Sequence, residues 1–195
     1  MASGSPTAPY DLRFDSGRIC LDLLATTHPG ERLGSLDRLR AWIIGAGLVP
    51  AGTPLAAAGP EWLPAFHELR VQIGQLVYGE LKGRPSDAAL ARVNEVARGA
   101  PPALCAVRGA DGGLIRRLRP LPECGELLAV VAREAIELLT DPGTRAGLRQ
   151  CEGDNCPLVY LDMSRGRRRR WCSSEVCGNR ERVARHRRRT ALTRA

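Results

Sequence analysis

The chain has 195 residues, 44% hydrophobic and 26% charged, a composition typical of a globular protein and not of a disordered chain. Its net charge of +8 is uneven: residues 145–195 hold 14 arginines and five acidic residues, whereas residues 1–144 hold 15 basic and 16 acidic residues. This local excess predicts a polyanionic partner for the C-terminal segment. We find no apolar run long enough for a membrane span and no secretory signal, so we expect a cytoplasmic protein with reduced cysteines.

Apolar residues at helical spacing predict three helices in the first hundred residues. The first follows Ser35, which we expect to cap it. The second follows Pro60, and Pro64 is expected to place its regular part downstream of about that residue. The third follows Ser86 and is predicted to end near Gly99.

The pattern then changes to short strands and one more helix. Ala103–Arg108 and Leu114–Arg119 flank a glycine-rich turn and predict a β-hairpin. A helix with Leu127, Val131 and Leu138 on one stripe follows, and residues 141–143 (Asp-Pro-Gly) are expected to end it. The sequence therefore predicts a mainly α domain with a small β-hairpin.

We expect this domain to extend over residues 10–142 and to sense or couple to an unidentified small-molecule or protein effector. The polar loop Thr26–Arg32 is a candidate ligand site, with a plain surface loop as the alternative. His67 is expected to be structural, and no residues form a recognisable catalytic arrangement, so we expect no enzyme. The remaining cysteines of the domain are interpreted as small buried hydrophobes: Cys20, Cys105 and Cys124.

Four C-terminal cysteines form two equally spaced pairs, Cys151-x4-Cys156 and Cys172-x4-Cys177, separated by fifteen residues. Such pairs can direct four thiolates at one ion, which predicts one structural zinc per chain. Two disulfides or four unrelated thiols are the alternatives, and a reducing compartment disfavours the disulfides. His186 follows on a predicted helix, and we expect it to face solvent.

The segment around these cysteines, residues 146–190, has few large apolar residues and predicts a small zinc-ribbon-like finger with four cysteine ligands. A structural zinc contributes roughly 10–16 kcal/mol of apparent binding free energy, enough to order so small a segment. Arginines cluster between and after the cysteine pairs, which predicts contacts with nucleic acid in preference to acidic proteins or a merely solubilising role. The residues expected to make them are Arg167, Arg168, Arg169, Arg170, Asn179, Arg182, Arg185 and Arg189. Arg180 is instead expected to support the finger from within, by hydrogen-bonding a zinc-bound sulfur or a nearby carbonyl.

The run Cys177-Gly178-Asn179-Arg180, together with Val159–Asp162 and Arg170–Ser173, resembles the CGNR zinc finger family. The preceding part resembles the ABATE domain that commonly accompanies this finger, in Leu21–Thr26, Glu31–Leu33, Leu39, Trp42 and Gly47-Leu48. Proteins of this kind are described as stress-induced transcription regulators of bacteria. The resemblance therefore implies DNA binding through the finger and a role in a stress response.

The chain departs from the family pattern at two places. Ala25 stands where the family usually has asparagine, which removes a polar group from the candidate ligand loop. Glu181-Arg182 replaces a small residue followed by lysine, and the basic face is kept. Two other functions stay open: an accessory factor that binds RNA, the ribosome or RNA polymerase, and a redox sensor whose zinc thiolates are oxidised.

Overall fold

The structure is a computed structural model of the chain, and it describes residues 12–192, with side chains up to residue 190. Backbone contacts group the described residues into two compact units, 33–145 in one and 12–32 with 146–192 in the other. The domain boundaries 10–142 and 146–190 stay a prediction, and residues 10 and 11 lie outside the described part. In chain order the elements are α1 (Ile19–Ala25), α2 (Leu36–Gly45), α3 (Trp62–Lys82), α4 (Asp87–Ala97), β1 (Leu104–Arg108), β2 (Leu114–Leu118), α5 (Cys124–Thr140), α6 (Pro142–Arg145), β3 (Leu148–Gln150), β4 (Val159–Leu161), a π-helical turn (Ser174–Gly178) and α7 (Asn179–Leu192).

The mainly α fold with a hairpin, predicted for the first part of the chain, is confirmed. Ser35 and Ser86 cap α2 and α4, because each hydroxyl accepts a hydrogen bond from the backbone N–H three residues on. Helix α3 follows Pro60, as predicted, and begins at Trp62. The expectation that its regular part lies downstream of Pro64 was wrong, because Pro64 belongs to the first turn of the helix. Proline is tolerated there because first-turn N–H groups have no partner within the helix.

The β1–β2 hairpin is antiparallel, pairing Leu104 with Leu118 and Arg108 with Leu114. Helix α5 follows and begins at a capping box, in which the Glu123 and Glu126 side chains each accept a backbone N–H. Cys105 lies on the hairpin and Cys124 in the first turn of α5, and both are half-buried, so the prediction that they are buried was wrong. A two-stranded sheet and the first turn of a helix are each too open to enclose a side chain.

The core of the unit formed by residues 33–145 lies between α2, α3, α4 and α5. The Trp42 indole and the Phe66 ring are fully buried and meet edge to face, with centroids 5.9 Å apart. Around them the apolar stripes of the helices supply the buried Ile73, Val93 and Leu127. The helical periodicity of the sequence therefore becomes one shared apolar interior.

In the other unit, α1 packs against β4. The Leu161 N–H donates to the Ser16 carbonyl (2.8 Å), and the buried Asp22 carboxylate accepts the Ser16 N–H (2.9 Å). Gly17 has a φ of +90°, and a Cβ there would lie 3.2 Å from the Leu161 Cβ, so the close approach of the two segments requires glycine. The N-terminal segment, residues 12–32, is thus fixed to the β-hairpin that carries the first cysteine pair.

Candidate metal centre and nucleic-acid interface

Two local structures carry the four cysteines. The antiparallel β3–β4 hairpin pairs Leu148 with Leu161 and places the first cysteine pair in its connecting loop, where the Cys151 N–H donates to the Leu158 carbonyl (2.8 Å). In the second pair, Cys172 lies two residues before the π-helical turn and Cys177 lies within it. Ser173 caps that turn, because its hydroxyl accepts the N–H groups of the two residues that follow Ser174. Each pair is therefore held by backbone hydrogen bonds.

The four sulfurs converge to within 4.8 Å of one another, and all four cysteines are buried. The Cys156 and Cys172 sulfurs are 3.8 Å apart, and those of Cys172 and Cys177 are 3.6 Å apart. A tetrahedral zinc with Zn–S bonds of about 2.3 Å has S–S edges of about 3.8 Å, whereas a disulfide requires about 2.05 Å. The geometry fits one zinc ion held by four thiolates, as the cysteine spacing predicts, and it does not fit disulfides.

Backbone groups close to the sulfurs complete the fit. The N–H groups of Cys172 and Gly153 both donate to the Cys151 sulfur, at 3.3 and 3.4 Å. These bonds stabilise a thiolate, the form that binds metal. A Cβ at Gly153 would lie 3.1 Å from the Cys177 Cβ, 3.3 Å from its sulfur and 3.5 Å from the Cys151 sulfur. Glycine is needed there because the loop passes directly over two ligands.

The protein alone cannot keep all four thiols ionised. Hydrogen bonds from the Cys156 and Cys172 thiols lower the pKa of Cys151, and the same hydrogen bond to Cys151 raises the pKa of Cys156. Burial raises the pKa of Cys177 to about 12. A divalent cation removes this conflict, because its charge offsets the mutual repulsion of the thiolates.

The metal ligands belong to a small hydrophobic core that includes Ala25, Leu158 and Tyr160, with Trp171 packed against it. The Tyr160 side chain is fully buried, and its hydroxyl donates to the Arg169 carbonyl at 2.6 Å. Trp171 therefore packs on the metal core and contributes to the interior of the finger. So small a core leaves zinc as the main source of stability for the finger.

Arg13 is a supporting residue that the sequence did not indicate. Its guanidinium donates to the Cys172 sulfur (3.3 Å) and carbonyl (3.0 Å), and it also forms an ion pair with Asp15 (2.8 Å). Burial opposes its charge, but the hydrogen bonds to Asp15 and Cys172 outweigh that effect and raise the pKa of Arg13. This is the kind of contact that we expected from Arg180, whose side chain is exposed.

The connection between the cysteine pairs is a structured loop. The buried Asp162 carboxylate accepts the N–H groups of Ser164 and Arg169, both at 2.9 Å. A hydrogen bond from the Ser164 side chain, and then these two backbone bonds, lower the pKa of Asp162. Arg167 adopts a φ of +45°, which turns the chain sharply. The predicted contact residues Arg167 and Arg168 have exposed side chains on this loop.

Two other arginines of the connection make contacts within the finger. The Arg169 guanidinium lies 4.4 Å above the Tyr160 ring and donates to the carbonyls of Trp171 (2.8 Å) and Cys172. Arg170 forms an ion pair with Glu152 (2.6 Å) and lies over the Trp171 ring. Beside them is a groove of about 480 Å³, lined by Arg168, Arg169, Arg170, Trp171, Ser173, Ser174, Asp15 and Glu175.

Helix α7 begins at Asn179, two residues after the last metal ligand, Cys177. Its fourteen residues include six arginines and one glutamate, and every side chain from Arg185 to Thr190 is exposed. Arg182 donates to the Ser174 carbonyl (3.2 Å), which ties the first turn to the π-helical turn. The predicted Asn179, Arg182, Arg185 and Arg189 are all exposed, and so is His186, which lies away from the metal ligands.

The candidate ligand loop closes at its base, where the Arg32 N–H donates to the Thr26 carbonyl (2.8 Å). His28 lies in this loop, and its pKa is lowered, first by partial burial and then by the charges of Arg180, Arg13 and Arg32. The loop is therefore the place where the N-terminal segment adds positive charge to the finger.

In the unit formed by residues 33–145, His67 bonds the Leu33 carbonyl through Nε2 (3.1 Å), in line with the structural role expected for it.

Comparison with known proteins agrees with these features. The ABATE family, described as "Putative stress-induced transcription regulator", matches residues 17–142, and the CGNR zinc finger matches residues 148–190. Neither is an enzyme family. No curated protein matches the chain, and no helix within residues 12–192 is long and apolar enough to cross a bilayer. The ABATE match spans more than half of the chain. The chain therefore belongs to the ABATE family, and it carries a C-terminal CGNR zinc finger.

Proposed function

We propose that the protein is a cytoplasmic transcription regulator of the stress-induced type, which binds DNA through its zinc finger. The observation that carries this proposal is the position of α7: an exposed helix with a net charge of +5 leaves the metal centre at Cys177. Neighbouring arginines on one helix repel each other, and such a surface is stabilised by a polyanion. Zinc, when bound, joins the hairpin and the π-helical turn and so fixes the direction of the helix.

The connection and the helix are proposed to have different tasks. Arg167, Arg168 and Arg170 lie on the connection and would meet phosphates, which gives affinity without sequence preference. Arg169 adds charge there, but its donated hydrogen bonds lie within the finger, so its main task is to hold the connection against the Tyr160 ring.

The helix is proposed to read sequence. It has the width and polar surface to enter the major groove, with its first turns closest to the base edges. Asn179, Arg182, Arg185 and Arg189 recur at spacings of three or four residues and therefore share one face. An arginine can bind guanine through two hydrogen bonds, and an asparagine can bind adenine in the same way.

The test compares three arginine variants of the zinc-loaded protein. Arg168→Gln removes a charge from the connection, Arg185→Gln removes one from the helix, and Arg116→Gln is the control, since Arg116 is exposed on the β2 strand. Binding is measured by fluorescence anisotropy on random duplex DNA, on a site selected from randomised duplexes, and on structured RNA at the same salt concentrations.

We expect R168Q to weaken binding to all duplexes and to reduce the slope of log affinity against log salt by about one. R185Q should cost about 1–3 kcal/mol on the selected site and much less on random DNA. If R185Q behaves like R168Q on every duplex, the helix does not read bases. Tighter binding to structured RNA than to any duplex would replace the proposal with an RNA-binding role.

A further inference from the structure

We propose that Cys177 is an oxidation site for hydrogen peroxide, and that the disulfide it then forms with Cys172 releases the zinc. The oxidation itself concerns only the metal centre. Its consequence for nucleic-acid binding rests on the function proposed above. All residues that carry the proposal belong to one compact unit, formed by residues 12–32 and 146–192.

Cys177 is reachable through a cavity, although the residue is only 3% exposed. The cavity has a volume of about 290 Å³, and Cys177 lines it together with Cys156, Val176 and Arg180. Pockets of roughly 300–1,000 Å³ accept drug-sized ligands, whereas hydrogen peroxide has only two non-hydrogen atoms. Peroxide can therefore approach this ligand of the metal, and larger molecules are kept away from it.

The four sulfurs differ in the hydrogen bonds that they accept. Two backbone N–H groups donate to Cys151, another backbone bond reaches Cys156, and the Arg13 guanidinium donates to Cys172. Within residues 12–192, no backbone N–H and no guanidinium donates to the Cys177 sulfur. A hydrogen bond draws electron density from a thiolate and makes it a weaker nucleophile. We therefore expect peroxide to react first at Cys177.

Cys172 is placed to complete the reaction. Its sulfur lies 3.6 Å from the Cys177 sulfur, and the Arg13 guanidinium holds it there with a hydrogen bond of 3.3 Å. A disulfide has an S–S distance of about 2.05 Å, so the two sulfurs must approach by about 1.5 Å. The two cysteines are five positions apart in one segment. Only a local movement around the π-helical turn is therefore needed.

The reaction has two steps. In the first, the Cys177 thiolate attacks one oxygen of hydrogen peroxide, the O–O bond breaks, and a sulfenic acid and hydroxide are formed. In the second, the Cys172 thiolate attacks the sulfur of that sulfenic acid, the S–O bond breaks, and a disulfide and a second hydroxide are formed. Two electrons pass from sulfur to peroxide, and the two hydroxides take protons from the solvent to give water.

The disulfide separates the two halves of the finger. It removes both ligands of the second pair, and the hairpin is left with Cys151 and Cys156 alone, which is half of a structural zinc site. The π-helical turn then loses its link through the metal to the hairpin. Because α7 begins two residues after Cys177, its direction is no longer fixed relative to the connection. A dithiol reductant and zinc should restore the finger.

The test adds hydrogen peroxide to the full-length zinc-loaded protein at pH 7.5. Zinc release is followed with a chromogenic chelator, and oxidised cysteines are identified by peptide mass spectrometry after alkylation of the free thiols. Cys124 is the internal control thiol, because burial and then the charge of Glu61 raise the pKa of Cys124 to about 11, which keeps it protonated.

Two matched variants test the route to the sulfur. Val176→Phe narrows the cavity beside Cys177, and Val183→Phe makes the same change on α7, where Val183 is 42% exposed and outside the cavity. Zinc content is measured in both variants before peroxide is added. If V176F does not bind zinc, the disulfide identified in the wild-type protein decides the outcome.

We expect one zinc released for each peroxide reduced, a disulfide between Cys172 and Cys177, and recovery of zinc binding with dithiothreitol. V176F should release zinc about fivefold more slowly than V183F, because thiolate reactivity follows access. The proposal is overturned if zinc stays bound when Cys124 is already oxidised, if the disulfide joins Cys151 to Cys156, or if both variants release zinc equally fast. If peroxide releases zinc from a protein that has no affinity for duplex DNA, the proposed function fails and the oxidation site stands.

Discussion

Arg13→Gln tests whether the N-terminal segment supports the metal centre. The side chain is 21% exposed, and its guanidinium donates to both the sulfur and the carbonyl of Cys172. Replacing a residue that orients a metal ligand typically lowers metal affinity about ten- to a hundredfold, which is about 1.4–2.7 kcal/mol. Glutamine is too short to make both contacts with Cys172 and carries no charge, so we expect R13Q to lose zinc affinity within this range.

Zinc affinity of R13Q is measured by competition with a chromogenic chelator at pH 7.5, under reducing conditions. Arg168→Gln is the control, because it removes the same charge from the finger without touching a ligand. Asp15→Asn keeps the guanidinium but removes its ion pair, and should give an intermediate loss. If R13Q binds zinc within twofold of wild type, the contact with Cys172 does not support the metal centre.

Three further predictions concern the finger and its neighbouring loop. Gly153→Ala should destabilise the zinc-loaded finger by about 1–3 kcal/mol, because the new Cβ would crowd two ligands; an unchanged melting temperature would contradict this. Tyr160→Phe leaves the Arg169 carbonyl unpaired and should cost about 1 kcal/mol in thermal melts, with zinc still bound; a cost near zero would contradict the buried bond. The lowered pKa of His28 means that the unfolded chain takes up a proton near pH 6.5 that the folded chain resists. Stability should therefore fall as the pH drops from 7.5 through 6.5, and His28→Gln should make that fall shallower; equal slopes would refute it.

Local patterns in the sequence predicted the features that depend on neighbouring residues. Ser35 and Ser86 mark helix starts because the cap bonds an N–H only three residues away. The spacing of Cys151 and Cys156 predicts ligands because both lie in one hairpin loop. Such signals need no knowledge of how the chain folds back on itself.

The features that sequence analysis missed depend on distant residues. Arg13 meets Cys172 across 159 positions, and no local pattern distinguishes it from the many other arginines of the chain. The short helix α1 has six buried residues, so it shows no amphipathic period, and its packing on β4 is visible only in the structure. Gly17 was the available signal, because a glycine just before an apolar run can mark a close approach of two segments.

Duplex binding through the arginines of the connection and α7 is expected to depend on zinc, and one measurement tests this dependence directly. The affinity of the full-length protein for a 20-base-pair duplex is determined in 150 mM salt with zinc bound, after removal of zinc by a chelator, and after zinc is restored. Because the metal holds the connection and α7 in one arrangement, we expect at least a tenfold loss on removal and full recovery on restoration. An affinity that is the same with and without zinc would contradict the account, since binding would then need only the charge of the arginines.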